Sequence, residues 1–219
     1  MLWLLGLALV AGTVGSALVF RRTQRGPREP IRAIAGAPEA EVVRIRGRVA
    51  CERALTAPLT GRPCVYYRIE YRCYADGKVA THTDAKHVDF TVRDDSGAAQ
   101  IMVERTQFEI VADIFETGRA SAISPPSAAA LAVRGWEVPD HGRIEVCEAA
   151  VAVDAPIDVI GQPTRVPEPD APRQELGYRD AAPSRLVFAS GHRVVEKPRE
   201  RRYIGAPPVR PRQGHGHDA

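Results

Sequence analysis

Cysteine is scarce in this chain of 219 residues, which contains only Cys51, Cys64, Cys73 and Cys147. No two of them form a Cys-x-x-Cys pair, the spacing with which structural zinc sites usually present their thiolates. Free thiols buried in strands are therefore the expectation in a reducing compartment. His215 and His217 would add only two ligands near the C-terminus, so we predict no metal site.

Recognisable catalytic and nucleotide-binding fingerprints are also missing. The sequence has no Walker loop, no dinucleotide fingerprint and no Gly-x-Ser-x-Gly elbow. Four residues of the types used in acid-base catalysis lie close together in sequence, at His82, Asp84, His87 and Asp89. No nucleophile or oxyanion donor stands near them, so solvated hairpin residues are the preferred interpretation. We therefore expect a protein without catalytic residues or a cofactor.

Long apolar runs are absent except at the N-terminus, where residues 2–20 contain no charged side chain. As a helix this run would be about 28 Å long, which matches a bilayer core. A cleaved signal peptide would need a positive segment before the run and a small-x-small site after it. We expect a single transmembrane helix, in which Ala8, Gly12 and Ser16 share one face. These small residues have two interpretations. They could let two helices pack closely in a homo-oligomer, or they could reflect only the general abundance of small residues in membrane helices.

Positive charge is concentrated at the two flanks of the chain. Residues 21–32 carry a net +4 and residues 198–219 a net +3, which leaves the middle acidic at −4. The positive-inside rule then predicts a cytoplasmic domain. Membrane lipid is an expected partner, with headgroups contacted by Arg21, Arg22, Arg25 and Arg28. An acidic middle disfavours nucleic acid, which is normally bound by a basic face.

Alternation of apolar and polar residues predicts strands through most of the middle. The clearest segments are 41–49 and 64–74, followed by 88–92, 99–103, 143–151, 157–160 and 185–190. Asp76-Gly77 and the run Asp94 to Gly97 supply turn residues. Only 107–116 has helical spacing, through Phe108, Val111, Ala112 and Phe115. These patterns predict a mainly β fold, a small OB-like barrel or sandwich with one short helix.

The expected organisation is four segments. A transmembrane helix over 2–20 precedes a basic juxtamembrane linker over 21–39, a β domain over 40–197 and a disordered basic tail rich in Pro and Arg over 198–219. Within the β domain, residues 161–183 are rich in Pro, Asp and Glu and are expected to form a long loop.

Two motifs resemble the GIDE domain, also called the beside-a-membrane (BAM) domain. The first is Leu59-Thr60-Gly61-Arg62-Pro63-Cys64-Val65-Tyr66-Tyr67-Arg68, and the second is Phe90-Thr91-Val92-Arg93-Asp94-Asp95-Ser96-Gly97. The family has similar stretches in the same order, although Ala57 replaces the usual serine before the first. The resemblance covers about residues 40–195 and includes a preceding membrane helix.

The resemblance implies a membrane-anchored, cytosol-facing module that binds a partner protein or acts as a scaffold without its own catalysis. Eukaryotic members are similar to mitochondrial membrane E3 ubiquitin or SUMO ligases, whose separate RING domain recruits the conjugating enzyme. E3 ubiquitin transferase activity is accordingly the alternative. A RING binds two zinc ions through paired Cys or His ligands, and this chain lacks such pairs.

The first motif supplies the candidate binding residues. Arg62, Tyr66 and Arg68 are candidates for an exposed partner-binding face, because arginine and tyrosine are frequent contact anchors. The competing interpretation is structural, with Gly61 in a turn and Pro63 at the start of a strand. The remaining positions expected to be structural motif residues are Pro58, Asp94 and Gly97.

Overall fold

The computed structural model describes residues 29–167 and 184–196, together with the backbone of residues 202–204. The expected transmembrane helix over 2–20 and the headgroup arginines Arg21, Arg22, Arg25 and Arg28 lie outside the described residues. Among those that are described, no helix combines the length and the apolar content needed to cross a bilayer.

The fold is mainly β, with fifteen strands and one α-helix in the described part of the chain. In chain order the strands are β1 (Ile31–Arg32), β2 (Val43–Ala50), β3 (Leu55–Thr56), β4 (Pro63–Ala75), β5 (Lys78–His87), β6 (Phe90–Asp94), β7 (Gly97–Ile101), β8 (Gln107–Glu109), β9 (Ile114–Arg119), β10 (Arg143–Ala152), β11 (Pro156–Gly161), β12 (Thr164–Pro167), β13 (Ser184–Phe188), β14 (Arg193–Glu196) and β15 (Arg202–Ile204). The helix α1 spans Pro125–Val133.

The strands form two sheets. Sheet A has the order β12-β13-β7-β6-β2-β11-β14-β8, with β1 beside β2, and it curls into a half-barrel. Sheet B has the order β15-β9-β10-β4-β3, with β5 paired to β4. The predicted mainly β class with one short helix is therefore confirmed, and the described strands include the alternating segments expected from sequence.

Strand β6 pairs in antiparallel fashion with the C-terminal part of β2, from Arg48 to Ala50. Gly47 directly precedes this paired segment, and a Cβ atom there would lie 2.6 Å from Val92 Cγ1 and closer still to the Arg93 carbonyl oxygen. Only a residue without a side chain allows the two strands to approach so closely. On either side of Gly47, Ile45 and Val49 are fully buried while Arg48 is exposed, as the alternating sequence predicts.

Two large apolar clusters stabilise the fold, together with a small third one made of Ala57, Cys64, Tyr67 and Ala150. The larger one fills the inside of the curled sheet A and includes Val65 and Val151 from the ends of β4 and β10. The second lies between one face of sheet B and α1, where Tyr71 and Leu131 meet and Trp136 packs at the margin. Sheet B thus has one face covered by the helix, which leaves the opposite face as a candidate surface.

The helix predicted over 107–116 is wrong. That segment contains β8, a short irregular connection and the start of β9. The helical spacing of Phe108, Val111, Ala112 and Phe115 does not mark one buried face, because Phe115 lies on the face of β9 opposite the buried Ile114 and Glu116. The helix is instead the alanine-rich segment after Ser124, where prolines occupy the first turn without costing a hydrogen bond.

Two expected irregular segments contain strands. The segment 161–183 includes β12, which pairs with β13, and its residues 168–183 lie outside the described part. In the segment 198–219, the backbone of β15 pairs in parallel with β9. The other residues of that segment lie outside the description.

Candidate binding surface

The first motif begins with a closed turn ahead of β4. The Ala57 N–H donates to the Arg62 carbonyl oxygen at 2.9 Å, and the Gly61 N–H donates to the Ala57 carbonyl oxygen at 2.9 Å. Gly61 has a φ of +65°, which favours glycine. Pro58 lies within this turn, and Pro63 opens β4 opposite Thr56. The structural roles expected for these positions fit this geometry.

A buried carboxylate holds the same turn. Glu148 is fully buried on β10 and accepts the Leu59 N–H at 2.6 Å, the Thr60 N–H at 3.3 Å and the Thr60 hydroxyl at 2.8 Å. Sequence reasoning missed this residue. The sequence contained a sign of its burial, because the alternation of β10 places Glu148 on the same face as the apolar residues Ile144 and Val146.

Arg62 and Tyr66 lie in contacts within the domain. The Arg62 guanidinium forms an ion pair with Asp113, and both side chains are mostly covered. The Tyr66 ring stacks on Phe108 with centroids 3.9 Å apart. Arg68 lies two residues further along β4 from Tyr66 and is partly exposed. Tyr66 and Arg68 therefore share one face of β4, but Phe108 covers the Tyr66 ring, so Arg68 is the one of the three predicted contact residues on the uncovered part of sheet B.

The second motif fastens the start of the domain to the β6–β7 hairpin. Asp94 Oδ1 accepts the Ser96 N–H and hydroxyl and the Gly97 N–H, at 2.6 to 2.9 Å. Asp94 Oδ2 accepts the Ile34 N–H at 2.9 Å. Burial by itself would raise the pKa of Asp94, but these hydrogen bonds outweigh it and hold the pKa below its usual range. Gly97 starts β7, so both motif residues have structural roles.

The possible acid-base group of residues does not assemble. His82 stacks on Trp136 with ring centroids 5.1 Å apart, and Asp84 forms a salt bridge with Arg134 at 2.5 Å. His87 is the last residue of β5, and its side chain lies on the opposite face of the strand from those of His82 and Asp84. Asp89 lies beyond β5, where its Oδ1 accepts the Val103 N–H at 2.9 Å.

The face of sheet B opposite α1 carries a row of charged and aromatic side chains, which we call the open face. Its central residues are Arg68, Glu70, Arg72 and Tyr74 on β4, Arg143, Glu145 and Cys147 on β10, and Phe115, Thr117 and Arg119 on β9. These residues include four arginines and two glutamates. The open face is thus a positive surface on a domain whose overall charge is negative.

Hydrogen bonds fix the side chains at the centre of the open face. The Arg72 Nε donates to Glu70 Oε1 at 2.8 Å, and the Tyr74 hydroxyl donates to Glu145 Oε2 at 2.9 Å. Arg143 also donates to Glu145, at 3.0 Å, and lies over the Tyr74 ring. These contacts order the side chains before any partner binds, which reduces the entropy cost of binding.

One pair of like charges is left at the end of this face. Arg119 on β9 lies directly opposite Arg143 on β10. Like charges in this position are destabilising, and Glu145 neutralises only one of the two. A similar pair on sheet A, Arg48 opposite Arg93, differs because aspartates at 94, 95 and 154 share its groove. The corner formed by Arg119 and Arg143 is therefore the more favourable place for a carboxylate.

A second buried carboxylate fixes the helix on the covered face. Glu116 accepts the Ser124 N–H at 2.6 Å and the hydroxyls of Ser124 and Ser127 at 2.8 and 2.5 Å, at the N-terminus of α1. The Tyr71 hydroxyl donates to the Ser127 carbonyl oxygen at 3.0 Å. No local sequence pattern indicates this arrangement, which fixes α1 on the face of sheet B opposite the open face.

The thiols are free, as expected. Cys64 and Cys73 are buried, whereas Cys51 and Cys147 are partly exposed. Burial raises the pKa of the Cys64 thiol to about 11, with a further contribution from Glu148. Within residues 29–167 and 184–196, no three His, Cys, Asp or Glu side chains are grouped so as to hold a metal ion.

Comparisons of the chain with protein-family models, with curated proteins and with solved structures found no match. The likeness to the GIDE domain therefore rests on the two sequence motifs, whose residues form the turn before β4 and the β6–β7 hairpin.

Proposed function

We propose that this protein is a membrane-anchored, cytosol-facing binding or scaffold module of the GIDE/BAM type, without its own catalysis. In this proposal residues 2–20 cross the membrane, and the two sheets correspond to an OB-like barrel or sandwich. The partner is a protein that presents an acidic segment to the open face of sheet B.

The observation that carries the proposal is the position of Arg119 opposite Arg143 on that face. Two guanidinium groups on neighbouring strands repel each other, and a carboxylate between them would relieve the repulsion. Arg68 and Arg72 extend the positive surface along β4. Arginine makes bidentate bonds to carboxylates, and Tyr74 adds an aromatic surface beside it.

The proposal is tested with peptides of opposite charge. Fluorescent Glu-Ser and Lys-Ser repeat peptides of equal length would be titrated into the full chain in detergent micelles, with binding followed by fluorescence anisotropy. The Glu-Ser peptide should bind, and added salt should weaken its binding because exposed charges are screened.

Charge reversal on the open face provides the decisive comparison. Arg68→Glu combined with Arg119→Glu should weaken binding of the acidic peptide by at least about tenfold, or about 1.4 kcal/mol. Arg53→Glu with Arg105→Glu makes the same charge change at two exposed positions away from the open face and should have a much smaller effect. Equal losses in both double variants, or preferential binding of the Lys-Ser peptide, would contradict the proposal.

The membrane anchor is tested separately in intact cells. The chain should remain in the membrane pellet after an alkaline carbonate wash. Protease should reach its β domain only after the cell is permeabilised. A freely soluble chain, or digestion by protease added outside intact cells, would remove the anchored, cytosol-facing part of the proposal.

A further inference from the structure

Strand β5 forms a long, regular and exposed edge of sheet B. It pairs with β4 in an uninterrupted register from Ala75 opposite Lys78 to Tyr66 opposite His87. Nine of its ten residues are exposed. Among the residues that the structure describes, no strand lies on its outer side. Its outward backbone N–H and C=O groups are therefore available to another strand.

The hairpin geometry identifies which residues face outward. Asp76 and Gly77 form the two-residue turn, with φ values of 51° and 69°. The residues flanking such a turn, Ala75 and Lys78, form a hydrogen-bonded pair, and hydrogen-bonded pairs then alternate along the ladder. The even-numbered residues of β5 therefore bond to β4. The odd-numbered ones, Val79 to His87, direct their backbone groups outward.

This edge has little of the protection that exposed edge strands usually carry. Proline and β-bulges are absent from it, and its lysines lie near the ends, at Lys78 and Lys86. The middle contains Val79, which is 59% exposed, and the threonines Thr81 and Thr83. Proteins commonly use such an edge to add a strand from another chain.

We infer that β5 pairs with β5 of a second copy of this chain, antiparallel and with the two-fold axis at Thr81. In this register each Lys78 lies opposite the partner's Asp84, so two oppositely charged pairs form. The outward backbone groups of Thr81 bond to the partner's Thr81, and Val79 lies opposite the partner's Thr83. The result is one continuous sheet made of two copies of sheet B.

Asp84 has room for this second cation. All of its described contacts use Oδ2, which lies 2.5 Å from Arg134 Nη2, 2.7 Å from Arg134 Nε and 3.4 Å from the Tyr67 hydroxyl. Oδ1 forms no hydrogen bond or ion pair with the described residues. Lys78 and Asp84 have the same phase on β5, so across the two-fold axis they meet on the same face of the extended sheet.

The neighbouring registers are less favourable. An axis at His82 places Lys78 opposite the partner's Lys86, and an axis at Asp84 places two carboxylates opposite each other. An axis at Thr83 places Lys86 opposite Ala80 and leaves Lys78 beyond the paired region. Registers with the axis between two residues fail because outward groups would face groups already bonded to β4.

This inference goes beyond the proposed function, because it needs neither the open face nor a contact between transmembrane helices. It is tested by oxidative cross-linking of single-cysteine variants of the full chain in membranes. In Thr81→Cys the two new cysteines would have Cα atoms about 5.5 Å apart, within disulfide range. In Val79→Cys or Thr83→Cys the identical positions would be about 14 Å apart, which is too far.

The expected pattern is specific to the register. Thr81→Cys should form a disulfide-linked dimer well above the level of the parent chain, whose four native cysteines set the background. Val79→Cys and Thr83→Cys should remain at background when expressed alone and should cross-link when co-expressed. Adding Thr81→Pro to both should abolish that mixed product, because proline removes an outward N–H and leaves the β4 ladder intact.

Three results would overturn the inference. The first is a Thr81→Cys dimer no stronger than that of the parent chain, with each variant shown to be folded by an unchanged thermal transition. The second is equal cross-linking of Val79→Cys alone, which would indicate random collision. The third is a Thr83→Cys dimer without a Thr81→Cys dimer, which would place the axis elsewhere.

Discussion

Glu148 and Thr60 lie 88 positions apart in the sequence, yet the Thr60 hydroxyl donates to the Glu148 carboxylate at 2.8 Å in the interior of the protein. The same carboxylate accepts the N–H groups of Leu59 and Thr60. The motif turn before β4 is thus stabilised by one buried acid on β10, whose hydrogen-bond partners among the described residues include no cation. A carboxylate is retained there because its oxygens accept all three donors.

We expect Glu148→Gln to lower the free energy of unfolding by about 1 to 3 kcal/mol, because an amide NH₂ group replaces one of the two accepting oxygens. Urea unfolding of the two chains would measure the difference. Glu137→Gln is the matched control at an exposed position and should change the free energy by less than about 0.5 kcal/mol. Equal effects of the two substitutions would contradict the role of Glu148.

The close pairing of β6 with β2 depends on Gly47. We expect Gly47→Ala to lower the free energy of unfolding by about 1 to 3 kcal/mol, because the new Cβ would overlap the backbone of Arg93 and the Val92 side chain. Gly118→Ala on β9 is the control, since no atom lies within 4 Å of its Cβ position. It should be neutral or slightly stabilising. Thermal unfolding of both variants distinguishes the two sites.

Asp94 is expected to hold the segment around Ile34 against the β6–β7 hairpin. Asp94→Asn should accelerate hydrogen exchange at the Ile34 and Ala35 amides and cost about 1 to 3 kcal/mol of stability, because one of its two oxygens becomes a donor. Asp95→Asn, one residue further along, changes an exposed side chain and should leave the exchange of both amides unchanged. Unchanged exchange in Asp94→Asn would show that other contacts hold this segment.

The stability of the fold should fall in mild acid because of His192. Burial lowers the pKa of this histidine, and the nearby Ser190 backbone offsets only part of the effect. In the unfolded chain its pKa returns to about 6.5. Between the two values the unfolded chain binds more protons, so the free energy of unfolding decreases as the pH falls below about 6.5.

Urea unfolding at several pH values between about 7.5 and 5.5 would measure this decrease. His192→Gln cannot titrate and should flatten the pH dependence, whatever its effect on absolute stability. His141→Gln, at an exposed position, should retain the slope of the parent chain. A slope in His192→Gln as steep as that of the parent chain would show that another group is responsible.

The sequence predicts the strands well where one face of the strand is buried and the other is exposed to solvent. In β2 and β4, apolar residues alternate with arginines, so a strand is the only regular element that separates them. The Asp76-Gly77 turn is equally local. By contrast, α1 buries only Ser127, Ala130 and Leu131, which is too narrow an apolar stripe for its periodicity to be recognised.

The candidate surface is less predictable because it depends on which strands become neighbours. Nothing near Arg143 in the sequence indicates that Arg119 lies opposite it, since strand register is decided by the whole sheet. Arg62 and Tyr66 are residue types that are frequent in contact surfaces. In this fold, however, Arg62 forms an ion pair with Asp113 and Tyr66 stacks on Phe108. The alternation of β4 places Tyr66 and Arg68 on the same face, and it does not reveal that Phe108 covers Tyr66.

The most direct test of the account is photo-cross-linking from the open face in native membranes. Benzoylphenylalanine at Thr117 should form an adduct with another protein at an acidic segment, and Arg68→Glu with Arg119→Glu should abolish the adduct. The same probe at Glu137, an exposed residue that follows α1, should form none. Equal adducts from both positions, or a Thr117 adduct that survives charge reversal, would contradict a partner-binding role for this face.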